Sequence, residues 1–114
     1  MSVGPAELAL IDALRTREES LWSPVWNFED GSLEAVVANL GDRSACCLAA
    51  QDSSLGYLVR LDLSVGVYGF HHLDPAVALE AGEMALRTDA PDFPAIMSGV
   101  VVLRMDDPKN KERP

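Results

Sequence analysis

The chain has 114 residues, a net charge of −9 and 48% hydrophobic residues, which is enough apolar material for one core of ordinary size and too much for a disordered segment. Up to Asp106 there are 16 carboxylates against 6 arginines, a net of −10 with no lysine, and both lysines, Lys109 and Lys111, fall in the last eight residues. Such a body repels nucleic acid and anionic membrane; its acidity serves solubility alone, or it attracts and steers a basic protein.

Pro5 suits the first position of a helix running to about Glu19. Leu10, Ile11 and Leu14 mark its apolar face, and Arg15 and Glu19 can pair on the wet side. Glu18 and Glu19 oppose the helix dipole and favour fraying there. Pro24 then argues against a central strand, and Trp26 and Phe28 share a face if 25–29 is extended. Two readings compete over 30–41. Asp30-Gly31 signals a two-residue hairpin that sets Leu33 and Ala35 across from Phe28 and Trp26. Alternatively, Ser32 caps a helix with Leu33, Val36, Val37 and Leu40 as its stripe and Gly41 as its close. The helical spacing covers more residues and carries both end signals, so helix is the expectation over 32–40, with hairpin strand as the alternative.

Ser44–Gln51 reads as a buried strand and Asp52-Ser53-Ser54 as a turn. Leu55, Tyr57, Val59, Leu61, Leu63, Val65 and Val67 alternate without a break, the pattern of a strand with one wet side. From Leu55 to His71 a single strand would span about 56 Å at ~3.3 Å per residue, so a turn near Ser64–Gly66 is expected to make two. Asp74-Pro75 opens a helix to about Arg87 as cap and first residue. Gly82 weakens that helix and admits a close neighbour. Residues 89–94 read as a loop and Gly99–Leu103 as an interior strand. The expectation is an α+β fold: a mostly antiparallel sheet of four to five strands with two to three helices packed on it. It forms a single domain over 1–106, followed by a flexible tail over 107–114.

Catalytic and metal signatures are sparse. His71, His72 and Asp74 are metal-ligating types, but the two histidines point apart on a strand and Asp74 is a helix cap. Cys46 or Cys47 with His71 or His72 has the chemistry of a nucleophile pair. A turn centred near Val65 places Cys47 and His71 in one row but two strands apart, about 9.6 Å, too far for a hydrogen bond. Glu80 and Glu83 share a helix face, and phosphate-loop, dinucleotide and nucleophile-elbow patterns are absent. No catalytic, metal or cofactor set is therefore expected, and an enzyme is not the favoured reading. Two neighbouring cysteines without others, and an N-terminus with neither basic nor long apolar segment, fit a cytoplasmic protein.

On the even-numbered side of the long alternating segment lie Leu58, Arg60, Asp62, Tyr68, Phe70 and His72. Either one of the chain's own helices covers Leu58, Tyr68 and Phe70, or these residues form the expected partner-binding patch, with aromatic anchors and charges beside them. The favoured function is a non-enzymatic, acidic protein-binding domain for a basic partner, an inhibitor or immunity-type protein being one form. The alternatives are a small enzyme or ligand-binding domain with a pocket between sheet and helix, and a homo-oligomer, such as a homodimer, using the same face or an open edge.

Overall fold

The computed structural model describes residues 4–17 and 20–105; the expected tail at 107–114 and the fraying at Glu18 and Glu19 lie outside them. Pro5–Arg15 forms helix α1, with Pro5 in its first turn. Leu10 and Ala13 are buried, and Ile11 and Leu14 pack against the same core. Trp22–Trp26 is strand β1 and Leu33–Leu40 is strand β2, paired antiparallel.

The helix expected over 32–40 is thus a strand, and the hairpin reading holds in kind. Its register differs from the expected one. Trp26 lies opposite Leu33 and Val25 opposite Ala35, so Glu34 is the extra residue of a bulge. The bulge explains the misleading spacing. It turns Leu33 and Val36, three residues apart, to the same buried side, which in sequence reads as a helical stripe. The turn is also longer than Asp30-Gly31 alone. The Asn27 N–H donates to the Ser32 carbonyl and the Gly31 N–H to the Asn27 carbonyl, both at 2.8 Å, leaving Phe28-Glu29-Asp30-Gly31 as the tip.

Gly41, at φ +64°, makes the tight turn into strand β3, Arg43–Ala49. Asp52 caps a short 3₁₀ turn, Ser53–Leu55, by accepting from the Ser54 N–H. Strands β4, Tyr57–Leu63, and β5, Gly66–His72, follow as the expected pair. Helix α2, Pro75–Thr88, starts on the Asp74 cap as the sequence indicated. Helix α3, Phe93–Ser98, occupies part of the segment read as a loop and ends on Gly99. The interior strand expected over 99–103 is not formed. Only Leu103–Arg104 pairs with β5, as edge strand β6, and Val101 and Leu103 are exposed. An apolar run is as compatible with lying across a sheet surface as within it.

Among the described residues the sheet has six strands in the order β1-β2-β3-β4-β5-β6, each antiparallel to its neighbour, one more than the upper end of the expected range. Helix α2 lies across β4, β3, β5 and β2, α1 packs beside it against β3, and α3 packs on α2. The class is α+β, with the core between the helices and one face of the sheet.

That core requires α2 to approach closely. Its inward face is Ala78, Leu79, Ala81, Gly82, Ala85 and Leu86, all buried. The Trp22 indole lies against Gly82: a Cβ placed there would come within 3.0 Å of the indole Cζ2 and 3.2 Å of the Val59 Cγ1. The indole is held by its own N–H, which donates to the Leu79 carbonyl at 2.9 Å. This is the close neighbour that Gly82 was expected to admit.

Glu83 is the buried charge of α2, at 5% exposure. Arg17 and Arg87 each donate to it at 3.0 Å, and the Leu21 N–H and Ser20 hydroxyl lie at 3.4 Å. Burial pulls its pKa upward, but the hydrogen bonds from Arg87, Arg17 and Leu21 outweigh this and hold it below its ordinary value. The carboxylate therefore ties α2 to the segment leading into β1. The nearby Glu80 is exposed, so the two acids do not form a couple.

Two predictions follow from this packing. Gly82→Ala gains about 1 kcal/mol of helix propensity but forces the indole or Val59 to give way. Because the indole is hydrogen-bonded in place, the net effect in urea unfolding is a loss of about 1–2 kcal/mol. Glu83→Gln leaves two arginines without their charge partner and costs about 3 kcal/mol at neutral pH. A lowered folded-state pKa stabilises the fold fully above the unfolded glutamate value and loses that contribution as pH falls through the folded value. The stability gap between wild type and Glu83→Gln should therefore shrink on acidification, measured as urea midpoints across pH.

Candidate functional site

The turn between β4 and β5 decides what each side of the sheet carries. Leu63 pairs with Gly66, leaving Ser64 and Val65 as a two-residue loop. Gly66 has φ +144°, a conformation that side-chain-bearing residues rarely adopt. Asp89, the left-handed cap of α2, accepts from the Ser64 N–H at 3.1 Å and from the Ser64 hydroxyl. These bonds from Ser64 hold the Asp89 carboxyl below its ordinary pKa and pin the turn to the helix end.

Across a two-residue loop, residues on the same face have opposite parity. Three rows run over β3, β4 and β5 on the helix side: Cys47·Val59·Phe70, Ala45·Leu61·Tyr68 and Ala49·Tyr57·His72. Three others form the open side: Cys46·Arg60·Gly69, Leu48·Leu58·His71 and Ser44·Asp62·Val67.

The expected patch is therefore split. Leu58, Arg60 and Asp62 are on the open face. Phe70 is buried at 5% exposure among the core residues, and Tyr68 packs partly against that core with Arg104 over its ring at 5.9 Å. His72 is half-buried, its Nδ1 accepting from the Asp74 N–H at 2.9 Å, so it helps set the start of α2. Alternation continued through the turn as in one strand keeps even-numbered residues on one side, whereas the two-residue loop reverses parity there. The expected Cys47–His71 row fails for the same reason. Cys47 faces the helices, while His71 lies opposite Leu58 on the other face.

The open face holds a groove of about 650 Å³. Cys46, Leu48, Leu58, Arg60, Gly69 and His71 form its floor, and Val101, Leu103 and Met105 form a wall. Met105 crosses the sheet where Gly69 has no side chain; a Cβ there would lie 2.7 Å from the Met105 sulfur. Its N–H donates to the Val67 carbonyl at 2.8 Å. This groove lies on the face of the sheet away from the helices, not between sheet and helix. Burial raises the pKa of Cys46, with Arg60 opposing, and pushes that of Cys47 to about 12.

A second surface is the β1–β2 hairpin tip. Phe28 is 100% exposed, and Trp26 and Val25 beside it are exposed as well. Glu29, Asp30 and Glu34 surround them. Asp30 accepts from the Ser32 hydroxyl at 2.6 Å and its N–H at 2.9 Å, which keeps its carboxyl below the ordinary pKa. The Asn27 amide donates to Glu34 at 3.2 Å. The sequence signal for this tip was present in Trp26, Phe28 and Asp30-Gly31.

Among the described residues no three His, Cys, Asp or Glu side chains gather as a metal site, and no helix is long and apolar enough to cross a membrane. No family model, curated protein or solved structure matches the chain.

The division into two faces is testable by stability. Phe70→Ala removes a ring from the core and should cost about 3–5 kcal/mol in chemical denaturation. Leu58→Ser, at a position 36% exposed on the open face, should cost about 1 kcal/mol or less. Similar losses for the two would place them on one face.

Proposed function

We propose that this protein is a cytoplasmic, non-enzymatic binding domain that takes a basic protein partner on the tip of its β1–β2 hairpin. An inhibitor or immunity-type role is one form of such binding. The observation that carries the reading is Phe28, fully exposed between Trp26 and the carboxylates Glu29 and Asp30. A large apolar ring held in water by a short tip loses hydration cost on docking. Adjacent carboxylates favour arginine or lysine at its face, where ring and charge act together. The acidic body, at −10 up to Asp106, adds long-range steering. The two free thiols, Cys46 and Cys47, support a reducing compartment.

The test is quantitative capture from a lysate of the source cells with two baits, wild type and Phe28→Ser. Phe28 touches no core, so the variant should keep its unfolding midpoint. The expected result is a basic protein enriched by wild type at low salt, reduced about tenfold by Phe28→Ser and reduced again in high salt. Equal recovery on both baits, or recovery indifferent to salt, contradicts the proposal.

A further inference from the structure

The chain is strongly acidic, yet among the described residues the groove on the open face has no carboxylate in its lining. Its polar side chains are Arg60, His71 and the Cys46 thiol, and the rest is Leu48, Leu58, Val101, Leu103, Met105, Gly69 and the backbone beneath. Arg60 lies directly opposite Gly69, with His71 two residues further along β5. Diagonal neighbours of this kind are about 7–8 Å apart at their backbones, which long side chains readily bridge. Asp62 meets Arg60 at Nη2, 3.5 Å away, and a guanidinium has five N–H donors. A volume of about 650 Å³ falls in the range of small-molecule sites, where an apolar lining supplies affinity and a few polar groups fix orientation.

We propose that this groove binds a small amphiphilic carboxylate, its apolar chain along Leu48, Leu58, Val101 and Met105 and its head on Arg60 and His71. The Arg60 guanidinium donates to the carboxylate, and the His71 ring N–H adds a second donor. Gly69 matters because its missing side chain lets Met105 lie low over the sheet and form the wall. This site is separate from the hairpin tip and stands or falls independently of it.

Titration of the ¹⁵N-labelled protein with decanoate, kept below its micelle concentration, tests the proposal, with decan-1-ol as the uncharged comparison. The expected result is saturable shifts at the amides of Leu58, Gly69 and His71, and binding of decanoate about tenfold tighter than decan-1-ol. Arg60→Gln should remove that preference and leave decan-1-ol binding unchanged. Arg60 is exposed, and the wild-type preference is read without any variant. Non-saturable shifts, shifts centred on the helices or the hairpin tip, or equal affinity for acid and alcohol would each overturn the assignment.

Discussion

The two-residue loop at Ser64–Val65 is the constraint on which the rest of this structure depends. With Leu63 paired to Gly66, the odd residues of β4 and the even residues of β5 share a face. That face receives Tyr57, Val59, Leu61 and Leu63 together with Tyr68 and Phe70, and α2 closes over it. A loop one residue longer would turn β5 over, bringing Phe70 to the open side and His71 to the core. Asp89 guards against that slip by binding Ser64 from the end of α2. The turn, the helix cap and the choice of face are thus one connected arrangement.

The helix layer fits because α2 presents a face of short side chains. Alanines and Gly82 let the helix settle until the Trp22 indole fills the remaining space and donates to Leu79. This brings β1, an edge strand, under the helix, while Glu83 holds the preceding segment through Arg17. The Tyr57 hydroxyl donates to the Ala6 carbonyl at 2.7 Å and fastens the start of α1. With one side of the sheet so fully occupied, the other is left with the groove and the hairpin is left free to project Phe28.

Much of this was legible in the sequence, for physical reasons that differ by element. Asp74-Pro75 gave the start of α2 because cap and proline preferences are local. The close contact at Gly82 was foreseeable as a glycine within a helix. The strand at 33–40 was obscured because the bulge at Glu34 gives a strand the spacing of a helix, a feature that depends on the partner strand. The patch at Leu58, Arg60, Asp62, Tyr68, Phe70 and His72 was drawn from alternation that is correct within each strand and reversed between them. Of its open-face half, Leu58 and Arg60 line the groove and Asp62 stands beside it, whereas Cys46, Gly69 and His71 join the groove only once pairing is known. The apolar run 99–103, with Val101 and Leu103, reads as interior in sequence, since hydrophobicity alone does not say which surface a segment lies on.

Cys46 and Cys47 are adjacent on β3 and lie on opposite faces, which makes them direct reporters of the two-faced sheet. Cys46 lines the open groove, and Cys47 is fully buried under the helices with its thiol pKa pushed up to about 12. Iodoacetamide labelling of the native protein, with the modified residue located by fragmentation mass spectrometry, compares them within one molecule. The account predicts that Cys46 is alkylated while Cys47 reacts only after denaturant is added. Equal rates in the native state, or faster reaction at Cys47, would contradict it.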